Sequence, residues 1–243
     1  MTGKNNIFNY SILIIIISFT TLLNSIYFNN YYIFILYIFS VIASIFTTEY
    51  GIKVIKKYNF LQIIRTEGPI SHLTKSNTPT MGGFFIIPIF LLILSRLNII
   101  SFEFKLALLI TIFGFFLIGF LDDYLSIKNR VNLGLKSKEK LILQIFFSTI
   151  FVIFLWDNNL INNNLTFLND LTINIPNLII PISIITIISL SNSVNLTDGL
   201  DGLAAGCSSI VFCGLGTEIL LNNDKNYLIF SLLSFCMSGL CLG

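Results

Sequence analysis

The sequence predicts an all-α fold, a polytopic bundle of transmembrane helices, and three observations predict it. Apolar residues make up 55% of the 243 positions and charged residues only 11%, with a mean hydropathy of +0.87, a balance outside that of ordinary soluble domains. Uninterrupted apolar runs recur along the chain, each close to the ~20 residues a helix needs to cross the hydrocarbon core. The short alternating segments of a membrane β-barrel do not occur in it.

Taken in order, the apolar runs fall at 9–28, 31–52, 82–100, 104–121, 141–156, 176–191, 203–221 and 228–243, which predicts seven or eight spans. The count turns on the first run, which either spans or lies in the interface. It has no small-residue cleavage site and a second apolar run follows at once, so it reads as retained helix rather than signal peptide. No internal repeat or composition break marks a second domain, and residues 1–243 are expected to form a single integral membrane domain.

Basic residues orient the spans. Lys53, Lys56, Lys57, Arg65 and Lys75 precede Gly82, and Lys128, Arg130, Lys136, Lys138 and Lys140 follow Asp123. The connections near 100, 157–175 and 222–227 hold few or none, so the positive-inside rule makes the first two connections cytoplasmic and the other three external. Counting spans places 192–201 on the cytoplasmic side too. A net charge of +2 gives no reason to expect nucleic acid. Cys207, Cys213, Cys236 and Cys241 have no metal-site spacing and read as small helix residues.

Three polar clusters interrupt this apolar background, and all three are expected on one side of the membrane. EGPISHLTKSNTPTMGG, from Glu67 to Gly83, contains the chain's one histidine, His72. Lys75 supplies a cation and Thr80 a hydroxyl, and Pro79 with Gly82 and Gly83 predicts a rigid turn able to present phosphate to a helix N-terminus. His72 alone reads more readily as structural than as ligand or base. In GFLDDYLSIKNR, Asp122 and Asp123 close an apolar helix. A carboxylate at mid-membrane depth costs ~2.5–3.5 kcal/mol, so an adjacent pair at a span's edge is a functional candidate. In SNSVNLTDGLDGLAAG, Asn192, Asn195, Asp198 and Asp201 recur every third residue, offering hard oxygen ligands suited to Mg²⁺ and hydrogen bonds for a polar ligand. Gly199 and Gly202 predict a break or a close backbone approach there. A solvated turn with Gly202 and Gly206 as a packing pair is the plainer alternative.

In this order, SHLTKSNTPTMGG, GFLDDY and NSVNLTDGLDGLA resemble the phospho-N-acetylmuramoyl-pentapeptide transferases of bacterial cell-wall synthesis. The resemblance covers nearly the whole chain. TPTMGG is its most particular motif; the Asp pair and NLTDGLDG also occur across the wider polyprenyl-phosphate sugar-phosphate transferase superfamily. It implies an Mg²⁺-dependent enzyme of the cytoplasmic membrane that uses UDP-N-acetylmuramoyl-pentapeptide and undecaprenyl phosphate to make lipid I and UMP. It further implies that Asp122 or Asp123 acts as base on the lipid phosphate, that Asp122, Asp123 and Asp198 serve as metal ligands, and that Lys75 lies on the uracil-nucleotide side. Asn192, Asn195, Asp198, Asp201, His72 and Thr80 would line the substrates, and a homodimer is the expected assembly. The alternatives are an N-acetylglucosamine-phosphate transferase acting on the same lipid, or a non-catalytic remnant. The chain stops at MSGLCLG, where the resembled family continues through further helices, another aspartate and a histidine-rich loop. A fragment, a prematurely ended product or a decayed gene is therefore expected, without turnover by these 243 residues alone.

Overall fold

The computed structural model describes residues 2–58, 60, 79–97, 101–130, 134–166, 172–176, 178–198, 202–222 and 227–243. Among these, eight α-helices follow in order: α1 (Thr2–Tyr27), α2 (Tyr31–Lys57), α3 (Gly83–Arg96), α4 (Phe102–Asn129), α5 (Ser137–Asp157), α6 (Ile179–Thr197), α7 (Leu203–Leu221) and α8 (Leu228–Leu242). The all-α membrane fold agrees with the sequence. Six helices are long and apolar enough to cross a bilayer, while α3 and α8 are shorter apolar helices. A feature the apolar pattern did not predict is a small hairpin between α5 and α6, in which β1 (Asn164–Thr166) pairs antiparallel with β2 (Thr172–Asn174).

The chain forms two compact units, one from Met1–Lys53, Phe85–Ile99 and Val194–Gly243 and the other from Val54–Phe84 and Ile100–Ser193. In the first unit, Ile17, Ile33, Tyr37, Cys213, Leu220, Leu232 and Phe235 make one buried cluster, and Ile89, Ile93, Cys236 and Leu240 make another. Small residues let these helices approach. A methyl at Gly216 would meet the Phe235 ring at 2.9 Å, and one at Gly239 would meet the Tyr37 carbonyl oxygen at 2.7 Å. Interfaces of this kind are typical where lipid gives helices no hydrophobic reason to associate and close packing must hold them.

In the second unit, α4 and α5 form a hairpin whose short connection makes them antiparallel neighbours. Ser101 caps α4 by accepting the Phe104 amide at 3.2 Å, with Glu103 in the first turn favoured by the helix dipole. Arg130, left-handed at φ 52°, ends the helix by turning its N–H back to Ser126 and Ile127. At the start of α5 the Lys136 amide donates to Glu139 Oε2 at 3.0 Å, one half of a capping box. Along the hairpin Gly114 admits the Phe147 ring, which would lie 2.4 Å from a Cβ there. These caps and this contact fix the register of α5 against α4, and with it the polar end of the hairpin.

Candidate active site

About 30 Å of helical rise separates Phe102 from Asp122, the thickness of the hydrocarbon core, so a span that begins at Phe102 would bring the carboxylate pair to its far edge. The sequence predicted that the pair closes its helix; instead α4 continues to Asn129. The residues beyond the pair keep the helix because Tyr124, Leu125 and Ile127 still offer apolar surface, and it ends only where Arg130 turns left-handed. Embedding within a helix has a geometric consequence. Consecutive helical residues point about 100° apart and do not face each other, so the two carboxylates meet different partners.

Asp122 faces the beginning of α5. Its Oδ1 accepts the Leu135 amide at 2.8 Å, and its Oδ2 accepts Lys140 Nζ at 3.2 Å. Lys140 and Asp122 are 20% and 31% exposed, enough to keep the ion pair in reach of solvent or a headgroup. Gly134 makes the approach possible, since a Cβ there would stand 2.1 Å from the Asp122 carbonyl oxygen and 2.5 Å from its Oδ1. Asp123 faces the residues that lead into α3, and its Oδ2 accepts the Met81 amide at 3.0 Å. The first and second polar clusters of the sequence are thus joined by a main-chain hydrogen bond.

Met81 itself is left-handed, at φ 65°, a conformation that costs a non-glycine residue roughly 1–2 kcal/mol. The sequence assigned the turn to Pro79, Gly82 and Gly83. Among the described residues, however, the only glycine with positive φ is Gly202, so the irregular backbone of TPTMGG lies at its methionine. Thr80 precedes it, with its amide toward the Phe60 carbonyl at 3.4 Å and its Oγ1 buried without a hydrogen-bond partner among the described residues. His72 and Lys75 lie outside the described residues.

The third cluster divides. Asn192 pairs with Gln144 of α5 through two amide contacts, Gln144 Nε2 to Asn192 Oδ1 at 3.1 Å and Asn192 Nδ2 to Gln144 Oε1 at 3.3 Å; Gln144 Nε2 also reaches Ser191 Oγ at 3.2 Å. Gln144 is 1% exposed, so this pairing satisfies a buried amide that would otherwise be costly. Asn195 follows on α6, and Asp198 stands just past its end; both are exposed. Asp201 lies outside the described residues. Gly202 opens α7 at φ 75°, with the Tyr10 hydroxyl occupying the space a side chain would need, which meets the expectation of a close approach at that glycine.

Two participants were not singled out by sequence. In sequence Lys140 is one of the basic residues that orient the spans, and the antiparallel hairpin places it beside Asp122. Gln144 had a legible signal, as an amide within an apolar helix. For a metal, the described residues contain no group of three or more His, Cys, Asp or Glu side chains able to enclose one. Mg²⁺ does not require such a cage, because it takes one or two carboxylates and keeps water and substrate phosphate as its other ligands. The hard oxygens of Asp122 and Asp123 fit that demand.

Comparison with known proteins follows the same residues. The glycosyl transferase family 4 pattern matches 105–243, and a signature of phospho-N-acetylmuramoyl-pentapeptide-transferases matches 75–87. Curated phospho-N-acetylmuramoyl-pentapeptide-transferases of Prochlorococcus marinus strains MIT 9301 and MIT 9215 are each 52% identical over the whole of this chain, which covers 68% of their length. That of strain NATL2A is 41% identical over 94% of this chain and 62% of its own length.

Proposed function

The chain belongs to the phospho-N-acetylmuramoyl-pentapeptide-transferase family, and we propose from that premise that Asp122, Asp123 and Lys140 receive the phosphate of the lipid acceptor. The family's reaction moves phospho-N-acetylmuramoyl-pentapeptide from its UDP conjugate to undecaprenyl phosphate, giving lipid I and UMP. An oxygen of the lipid phosphate attacks the sugar-linked phosphorus. As that P–O bond forms, the bond to the bridging oxygen breaks and UMP leaves with the electron pair.

One observation carries the assignment: a carboxylate pair near the end of an apolar helix, with Lys140 and the Leu135 and Met81 amides around it, at the level where a span that begins at Phe102 would leave the hydrocarbon. A lipid phosphate has its headgroup at that depth, and its attack on a second phosphate brings like charges together. Lys140 lowers that repulsion by sharing its ammonium group between Asp122 and the incoming phosphate. Asp123, held by the Met81 amide, is placed to accept the proton of a monoanionic lipid phosphate. Mg²⁺, held by carboxylates among Asp122, Asp123 and Asp198 together with substrate oxygens, would supply further charge neutralisation.

Asn195 and Asp198 are assigned to the nucleotide side together with Lys75 and Asp201, while His72 and Thr80 are assigned to the substrate loop. Asn192 then has a positioning part, since its side-chain amide is engaged by Gln144. The basic residues flanking α4 and α5 support a cytoplasmic orientation of this end, in the cytoplasmic membrane, with a homodimer as the assembly to test by crosslinking. Membranes in which these residues are carried in a chain of the relatives' full length, supplied with undecaprenyl phosphate and either radiolabelled UDP-N-acetylmuramoyl-pentapeptide or UDP-N-acetylglucosamine, provide the functional test. Product from the first donor alone, dependent on added Mg²⁺, is expected; product from the second alone would reassign the enzyme within its superfamily.

A further inference from the structure

We infer that Met81 is a positioning residue whose left-handed backbone, rather than its side chain, aims an N–H at Asp123 and holds that carboxylate ready for the lipid phosphate. The inference rests on the role proposed above for Asp123. The contact it starts from is the 3.0 Å hydrogen bond from the Met81 amide to Asp123 Oδ2. The conformation is φ 65° at a residue with a long unbranched side chain, where non-glycine residues are uncommon. Gly82 stands next to it with open space where a Cβ would go, so a chain with a neighbouring glycine nonetheless makes its left-handed turn at the methionine.

Both sides of Met81 are anchored. The Thr80 amide points to the Phe60 carbonyl at 3.4 Å, and the Met81 carbonyl accepts the Phe84 amide at 3.0 Å in the first turn of α3. With the chain held before and after, φ at residue 81 decides where its N–H points. In an ordinary right-handed or extended conformation the peptide plane between Thr80 and Met81 would have to rotate, and the donor would leave the carboxylate. Strain of this kind persists only where the surroundings over-determine it, and it occurs at sites that need pre-organisation. Asp123 cannot obtain the same donor from its own helix, because the amides of the α4 interior are committed to intrahelical bonds. The loop leading into α3 thereby fixes a rotamer on α4, and its product is a carboxylate oriented before substrate arrives.

The side chain and the backbone separate experimentally. Met81→Gly and Met81→Asn keep the N–H and tolerate positive φ, Met81→Ala removes the thioether, and Met81→Val places a β-branched residue where such residues are genuine outliers. With these residues carried in a chain of the relatives' full length, and membranes assayed with UDP-N-acetylmuramoyl-pentapeptide and undecaprenyl phosphate, the Gly, Asn and Ala variants are expected within about 3-fold of parental kcat. Met81→Val is expected to lose roughly 10- to 100-fold in kcat, the scale of a slightly misplaced reacting group, with KM for the UDP substrate changed by less than about 3-fold. A general packing defect would not produce that split or its rescue by glycine. Parental kcat in Met81→Val overturns the inference. So does a 10-fold loss in Met81→Ala or Met81→Gly, which stands as the decisive reading if the Val variant does not accumulate. Asp123→Asn, run alongside, separates the two levels: parental turnover there removes the role of Asp123 itself, whereas an inactive Asp123→Asn with an active Met81→Val removes only the positioning by Met81.

Discussion

The α7–α8 hairpin and the α4–α5 hairpin both bring polar groups to helix contacts, and they treat those groups in opposite ways. In the first, Ser209 and Ser238 exchange hydrogen bonds with each other's carbonyls at 2.9 Å, and Ser231 donates to the Gly216 carbonyl at 3.0 Å. Every such hydroxyl is small, neutral and satisfied by main chain, so it acts as packing material that lets backbones approach. In the second, the groups are acidic side chains, only partly exposed, and their partners are amides and a lysine that a phosphate could share. Hydroxyls turned to carbonyls hold a membrane protein together; carboxylates presented to N–H groups are, on the function proposed above, prepared for chemistry. Substitutions in the first region should therefore be read in stability, and those in the second in turnover at nearly unchanged stability.

The largest effect that could break this comparison concerns the carboxylate pair. Asp122→Asn and Asp123→Asn keep shape while removing charge, and each is expected to lower turnover by about 10²–10⁴, the usual scale of a positioned acid or base. Thermal unfolding in detergent should move little, because a half-exposed ion pair such as Asp122–Lys140 contributes at most ~1 kcal/mol. If the Asn variants unfolded early and yet turned over normally, the α4–α5 end would be structural like its counterpart.

Next in size is Gly134→Ala. Its methyl would stand 2.1 Å from the Asp122 carbonyl oxygen and 2.5 Å from Oδ1, neither of which can coexist with it, and main chain has little freedom to yield. The turn before α5 must shift and take the Leu135 amide away from Asp122. A loss of roughly 10-fold or more in kcat is expected, on the scale of removing one oriented donor. Normal kinetics would mean that Leu135 does not hold the carboxylate in the working enzyme.

What the sequence disclosed depended on how locally each feature is encoded. Apolar runs encode the membrane helices residue by residue, so the all-α class and the approximate positions of the long spans were legible. Asp122 and Asp123 were legible because charge in an apolar segment is costly enough to stand out. Their division of labour was not, since it arises from the angular offset of neighbours on a helix that runs on to Asn129. Lys140 escaped notice because its approach to Asp122 depends on the hairpin register, set by a distant Gly114–Phe147 contact as well as by the caps. A left-handed Met81 beside two glycines contradicts local propensity, and only its flanking hydrogen bonds account for it. The β1–β2 hairpin is short, and polar Asn and Thr positions gave it no clear alternation.

In the α7–α8 region the comparison predicts smaller, purely structural losses. Gly239→Ala places a methyl 2.7 Å from the Tyr37 carbonyl oxygen and 3.0 Å from the Ser40 Cβ. Helix α8 must then move away from α2, and overpacking of this kind costs about 1–3 kcal/mol. Unfolding in detergent should report the loss, with the KM for the UDP substrate of the folded fraction unchanged. A shifted KM would mean that α8 packing is coupled to the substrate site, and the separation between the two regions would fail there.

The smallest effect sharpens the comparison most, because it concerns hydrogen bonds alone. Ser209→Ala and Ser238→Ala each remove one hydroxyl from a pair that is fully buried, with Oγ to Oγ at 3.0 Å. Each carbonyl that loses its extra donor is still the acceptor of its own helical bond, so neither single variant strands a main-chain group. Interhelical hydrogen bonds in membranes average about 0.6 kcal/mol by double-mutant cycles, and each variant is expected to cost about that much. The double variant is expected to cost less than the sum of the singles, since the Oγ–Oγ contact is lost once in either case. Alanine also keeps the close approach that a larger residue would spoil, so kcat and KM should remain parental in all three. A loss above about 2 kcal/mol in either single variant would show that these hydroxyls do more than fill space, and an additive double would show that the two bonds form independently.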